Sequence, residues 1–168
     1  TIICGSTWQK DEALLIQYIK HHSDKNYIIA PHELNSISYL QKQTNALLYS
    51  NITEETILTS NVIIIDSIGL LSTIYQYGNL AYIGGGFGSG IHNTLEPAAF
   101  GLPVVFGPKH QKFNEASSLI DKGGAISISN YEELSFAINS LKNFDKSIAL
   151  NYIKKNSGAT KKILPLIN

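Results

Sequence analysis

The sequence contains no methionine, a single cysteine and comparatively little charge. Each shortage excludes something. Cys4 alone can form neither an internal disulfide nor a cysteine zinc cluster, and it points to a reduced, cytosolic setting. Charged residues make up 15% of the chain, against ~25% in an average soluble domain. The charges also balance, 13 Lys plus Arg against 13 Asp plus Glu, so there is no broad basic field for nucleic acid or an anionic membrane. No apolar run approaches the ~20 residues that span a bilayer, and no signal peptide opens the chain, which therefore reads as soluble. Without a methionine, Thr1 is not a natural start, and the chain opens inside an apolar run, Thr1-Ile2-Ile3-Cys4. Residues 1–168 read as one domain cut from a longer protein, with 43% apolar residues, enough for a proper core.

What is present is an alternation. Short β-rich runs at 1–4, 26–30, 46–49, 62–65, 80–83, 104–106 and 125–128 are separated by longer helical patterns. Helices are predicted over 11–21, 34–43, 70–77, about 94–100, 113–122, 131–141 and 146–156, with a short one near 159–164; residues 51–60 read as a loop. In the first helix Ala13, Leu14, Ile16 and Ile19 mark the apolar face. Strands alternating with helices imply βαβ units and a parallel sheet with helices on both faces, a Rossmann-like α/β fold. The strands are nearly all apolar, as a sheet covered on both faces requires. Ligands of such sheets bind beyond the carboxyl ends of the strands. The candidates are therefore Gly5-Ser6-Thr7, Pro31-His32-Glu33, Asp66 to Gly69, Gly84 to Asn93, and Gly107-Pro108-Lys109.

The densest of these is AYIGGGFGSGIHNTLEPAAFGLPVVFGP, residues 81–108. Five glycines between a strand and a helix exceed what a turn needs, and glycine lets an anion approach the backbone. The helix that follows adds free N–H groups and a favourable dipole. A P-loop is excluded, because Ile91-His92 follows Gly90 where Lys-Ser or Lys-Thr is required. A dinucleotide fold is disfavoured, because no acid stands about 20 positions on, at 102–106. Asn93 to Glu96 has capping-box spacing, so Glu96 either caps the helix or accepts hydrogen bonds from two ribose hydroxyls. His92 either donates to a phosphate or closes the turn. Ser6 and Thr7 either donate to a phosphate, or Ser6 caps a helix with Gln9. Lys109 is either a phosphate charge or a solvated lysine, His32 is an isolated signal, and Asp66 is either a ligand or, better, an Asx-turn residue.

Taken together these residues resemble the Kdo transferases that build the inner core of lipopolysaccharide. The glycine loop is followed by His92-Asn93, by Leu95-Glu96-Pro97-Ala98, and by Pro103-Val104-Val105-Phe106-Gly107-Pro108. Gly5-Ser6-Thr7, Ala30-Pro31-His32, Asp66-Ser67-Ile68-Gly69 and Phe113-Asn114-Glu115-Ala116 agree as well, as does the tail Asn156 to Thr160. The resemblance covers nearly the whole chain. One local departure is that Ile91 stands where the family has a second glycine before His-Asn, in a loop one residue shorter.

The resemblance implies a GT-B enzyme of two Rossmann-like domains facing a cleft, of which this chain is the carboxyl-terminal, donor-binding half. It implies transfer of Kdo from CMP-Kdo to a lipid A precursor with inversion. The general base, a glutamate, lies in the amino-terminal half, so this chain alone is expected to be inactive and to hold no catalytic residue. CMP carries one phosphate, so no metal or cofactor is implied. Ser6, Thr7, Gly90, His92 and Asn93 then hold the phosphate side, Glu96 the ribose, and Pro31, His32, Ile68 and Gly69 line the cytosine. The acceptor and the cytoplasmic face of the bacterial inner membrane are reached only through the full-length enzyme. The alternatives are another GT-B enzyme using a UDP-sugar and a non-catalytic, flavodoxin-like nucleotide module.

Overall fold

The computed structural model describes residues 1–158 and 163–164. Most of the short helix expected near 159–164, and the end of the 156–160 tail, lie outside the described residues. Seven parallel strands form one sheet: β1 (Ile2–Thr7), β2 (Tyr27–Pro31), β3 (Leu47–Leu48), β4 (Val62–Ile64), β5 (Leu80–Ile83), β6 (Val104–Phe106) and β7 (Ala125–Ser127). The order across the sheet is β3-β4-β2-β1-β5-β6-β7. From β1 the chain steps outward to β2, crosses to the far edge for β3, returns to β4, and then recrosses to the other side of β1. The direction of winding therefore reverses between β1 and β5, and the crevice above that junction is where open parallel sheets bind ligands.

Among the described residues, seven α-helices cover the two faces: α1 (Gln9–His21), α2 (Ile37–Thr44), α3 (Leu71–Ile74), α4 (Leu95–Ala99), α5 (Asn114–Asp121), α6 (Tyr131–Ser140) and α7 (Lys146–Asn156). Strand side chains alternate between two cores. Cys4, Ile29, Ile64, Tyr82 and Val105 join α1, α2 and α6 on one face. Ile3, Ala81, Ile83, Val104 and Phe106 join α3, α4, α5 and α7 on the other. Because both faces are buried, no strand shows polar alternation. Burial raises the pKa of the Cys4 thiol, first by desolvation and then through the nearby Asp11 charge, so this cysteine is an inert core residue. No helix of the described residues is long and apolar enough to cross a membrane.

Several element bounds differ from the sequence expectation. β1 runs on through Ser6 and Thr7 because the pairing with β2 slips there: Gly5 lies opposite Ala30 and Thr7 opposite Pro31, leaving Ser6 as the extra residue of a bulge. The predicted 34–43 helix opens as a 3-10 turn at Leu34–Ser36 before α2. The 70–77 helix is a short α3 that tightens into a 3-10 turn at Tyr75–Tyr77. In α1 the buried stripe is Asp11, Glu12, Leu15, Ile16, Tyr18 and Ile19, whereas Ala13 is exposed.

Candidate functional site

The crevice between β1 and β5 is built by backbone pressed on backbone. At the end of β1, Ser6 takes the left-handed conformation (φ 53°), a strained choice for a residue with a Cβ. Gly84, the first residue after β5, lies directly beneath it. A Cβ on Gly84 would stand 2.2 Å from the Ser6 carbonyl oxygen and 2.6 Å from the Thr7 Cα. Gly86 meets Gly107 in the same way, at 2.6 Å from its Cα. These glycines bring the loop against the ends of β1 and β6.

The loop's own N–H groups are largely taken. Gly84 donates to Gly5, Gly88 and Gly90 to the Gly85 carbonyl, and His92 to Gly84, at 2.8 to 3.3 Å. Gly85 donates to the carboxylate of Asp11 at 2.8 Å. Asp11 is fully buried and also accepts from the Tyr82 hydroxyl (2.8 Å) and the Trp8 backbone N–H (3.0 Å). One carboxylate thus ties the start of α1, the middle of β5 and the glycine loop together. Hydrogen bonds to a charged group contribute about 1.5–3 kcal/mol each.

Its neighbour Glu12 is buried as well. One oxygen accepts from Thr7 (3.2 Å) and Ser36 (2.9 Å), while the other has no partner. Burial raises the Glu12 pKa, and the Asp11 and Glu33 charges add to it against the opposing hydrogen bonds. Neither acid was singled out by the sequence reading. The available signal was their place on the stripe that continues as Leu15, Ile16, Tyr18 and Ile19.

Two cavities adjoin above the crevice and share Ser6, Gly69 and Leu71. The first, about 300 Å³, is also lined by Ser72, Tyr75, His92, Asn93 and Glu96. The second, about 230 Å³, is lined by Pro31, His32, Ile68 and neighbours from the ends of β2 and β4. The fold therefore brings Ser6, Pro31, His32, Ile68, Gly69, His92, Asn93 and Glu96 into one groove. Three other expected residues stand apart. The Thr7 hydroxyl is buried and directed to Glu12. Gly90 lines neither cavity; its left-handed φ (139°) lets the chain pass the Phe113 ring, 2.9 Å from where a Cβ would be. Lys109 is exposed and lines neither cavity, while its backbone N–H donates to Gly86.

The capping expectations are not met in the form the sequence suggests. Helix α4 has only five residues, too short for much of a dipole. Its N-cap is Thr94, not Asn93; Asn93, one residue earlier, accepts from Leu95 N (2.9 Å), and its side-chain amide donates to Glu96 Oε1 (3.0 Å). Glu96 therefore does not reach back to a backbone N–H as a capping box requires. At α1 the cap is Asp11, not Ser6 with Gln9. Asp66 forms no Asx-turn of its own; it binds Ser50, which holds its pKa down and ties the segment after β3 to the end of β4. Ile91 is buried in the second core, so the residue that replaces a loop glycine packs rather than faces the groove.

The groove's electrostatics are unusual for a phosphate site. Among the described residues, Glu96 is the only Asp, Glu, Lys or Arg side chain lining it. The sequence contains no arginine at all, so the chain offers no bidentate fork. Tyr75 packs under Gly5, and burial followed by the Glu96 charge raises the pKa of its hydroxyl. The donors on offer are neutral: the Ser6, Ser72 and Tyr75 hydroxyls, the Asn93 amide and His92. Tyr75 and Ser72 are groove residues that the sequence reading missed, because a mid-helix position gives no motif.

With the groove defined, comparison with known proteins decides what it resembles. A 3-deoxy-D-manno-octulosonic acid transferase of Aquifex aeolicus is 28% identical over 153 residues, which is 88% of this chain and 43% of that protein. The chain is similar to Kdo transferases. Another, from Rickettsia typhi, is 27% identical over 165 residues, 93% of this chain and 36% of the relative. The chain thus spans less than half the length of these curated Kdo transferases. The crystal structure of the C-terminal CMP-Kdo binding domain of WaaA from Acinetobacter baumannii superimposes with a TM-score of 0.74 at 18% identity, covering 92% of this chain and 86% of that one. That likeness establishes the Rossmann-like fold. No protein-family model matches the chain.

Proposed function

We propose that this chain is the donor-binding half of a GT-B glycosyltransferase that moves Kdo from CMP-Kdo to a lipid A precursor with inversion. The observation that carries the reading is the groove. It joins Ser6, Pro31-His32, Ile68-Gly69, His92-Asn93 and Glu96 from four strand ends, in a chain similar to Kdo transferases along most of its length. In this reading the cytosine lies in the β2/β4 cavity, Glu96 accepts from the ribose hydroxyls, and Ser6, His92 and Asn93 face the phosphate. As the glycosyl bond breaks, negative charge grows on the departing CMP. Preorganised donors aimed at that charge lower the barrier, each by about 3 kcal/mol in well-studied cases. The acceptor, the general base and any contact with the inner membrane belong to the rest of the enzyme, so this chain alone binds donor without transferring it.

The lining also favours one phosphate over two. A UDP-sugar brings a diphosphate, and the described residues of the groove offer it one carboxylate and no cation. Titration by calorimetry with CMP, UMP and UDP tests this. CMP is expected to bind best, and Glu96→Gln to weaken it roughly ten- to a hundredfold while the melting temperature hardly moves. UDP binding as tightly as CMP overturns the choice of donor. A Glu96→Gln variant that melts early and binds CMP normally removes the ribose role.

A further inference from the structure

Trp8, the only tryptophan, stands at the rim between β1 and α1. Its indole stacks on His32, with ring centroids 4.2 Å apart and planes 20° from parallel. His32 in turn lies against His92 at 4.6 Å. Within this stack the Trp8 indole N–H approaches His92 Nε2 at 3.0 Å.

An indole nitrogen only donates. His92 Nε2 must therefore accept, which requires a neutral ring whose single proton sits on Nδ1. A cationic imidazole carries protons on both nitrogens and would set donor against donor. Burial, followed by the neighbouring His32, lowers the His92 pKa and so works in the same direction. The His92 Cδ2 lies 3.2 Å from where a Cβ on Gly85 would be, so the Nε2–Cδ2 edge faces the loop. Nδ1, across the ring, makes no hydrogen bond among the described residues and is not a sealed, unpartnered atom. His92 lines the cavity that holds Ser6, Asn93 and Glu96.

We propose that Trp8 is a positioning residue: its N–H holds His92 in the Nδ1–H tautomer, so that a neutral imidazole donates from Nδ1 to the phosphoryl oxygen of the bound nucleotide. This rests on the nucleotide reading above. It explains how a groove with no lysine or arginine among the described residues offers an oriented donor to an anion. A cationic His92 would supply charge but lose its anchor to Trp8.

Trp8→Phe keeps the ring and deletes the N–H. Long-range ¹H–¹⁵N correlation on His92 in the free chain, above neutral pH, reads the tautomer directly. The Nδ1–H form is expected in the wild type, with a shift toward Nε2–H in Trp8→Phe. CMP affinity should fall roughly three- to tenfold in the same variant. His92→Asn places an amide donor near the Nδ1 position without help from the indole. In that background Trp8→Phe should change CMP affinity by less than about twofold.

An Nε2–H wild type, or a tautomer unchanged in Trp8→Phe, overturns the proposal. So does an equal loss of CMP affinity in the His92→Asn background, which would place the effect in the stack on His32. The tautomer is read without ligand, so the two readings fail separately. A wild type that binds no CMP overturns the phosphate role together with the nucleotide reading, whereas intact CMP binding with an unchanged tautomer removes only the role of Trp8.

Discussion

The two walls of the groove are built in opposite ways. On the β1/β5 side Gly84 lies under Ser6 and Thr7, Gly86 lies against Gly107, and Gly85 is held by Asp11. Nothing there can shift without moving a strand end. On the β2/β4 side His32, Ile68 and Gly69 sit on short exposed connections; Ile68 is 89% exposed, and a Cβ on Gly69 would meet nothing within 4 Å. The contrast matches the two demands of a nucleotide. Charge at a phosphate is stabilised by donors fixed in advance. A flat base is gripped by surfaces free to settle onto it, as connecting loops on a rigid sheet commonly do.

Substitutions on each wall put that contrast at risk. The largest effect is expected for Gly84→Ala. Its methyl group would meet backbone, with no flexible side chain to turn aside, and the cost should reach about 3 kcal/mol, the upper end for overpacking, in denaturant unfolding. A loss below about 1 kcal/mol would mean that the loop swings freely from β1 and the rigid wall is not rigid.

A smaller effect, of opposite sign, is expected for Glu12→Gln behind the same wall. The folded-state pKa of Glu12 is raised, so the folded chain holds this proton more tightly than the unfolded one. That stabilisation is full below the unfolded value, ~4.3, and is lost as pH rises through the folded value. Glutamine removes the titration. The variant should match the wild type near pH 4 and exceed it by about 1 kcal/mol near pH 8, read from urea melts at both. Equal stability at both pH values would show that the unpartnered oxygen is hydrated and uncharged burial is not its condition. Least of all is expected of Ile68→Ala on the open wall: a stability change within about 0.5 kcal/mol and a small loss of CMP affinity. If Ile68→Ala destabilised as much as Gly84→Ala, the two walls would not differ.

The sequence made the fold legible because strands buried on both faces leave no doubt about period. Leu80 to Ile83 and Val104 to Phe106 read as strands on composition alone, and the sheet edge then gathered most of the groove. The misses have physical causes. Thr7 and Ser6 are adjacent and chemically alike, and only the bulge at Ser6 sends one hydroxyl to the groove and the other to Glu12. The five glycines invite an anion, yet Gly84 and Gly86 serve contact between backbones, which no local pattern records. Asp11 and Glu12 lay in view on an apolar stripe, but charged residues at a helix start have an ordinary explanation in capping. Besides the local Trp8 and Thr7, their partners are Tyr82 and Gly85 for one and Ser36 for the other, all distant in sequence.

Asp11 reaches Tyr82 and Gly85 across 71 and 74 positions of sequence. The shape of the loop is therefore not written in the loop. Transplanting residues 84–93 onto another parallel sheet would carry the glycines but leave behind the acid that anchors them and the tyrosine that steadies the acid. The portable unit is larger and discontinuous, comprising the β1–α1 turn, β5 and the loop together. Anyone remodelling the groove for a different nucleotide inherits the same condition: an open position such as Ile68 can be exchanged alone, whereas those around Asp11 must change as a set.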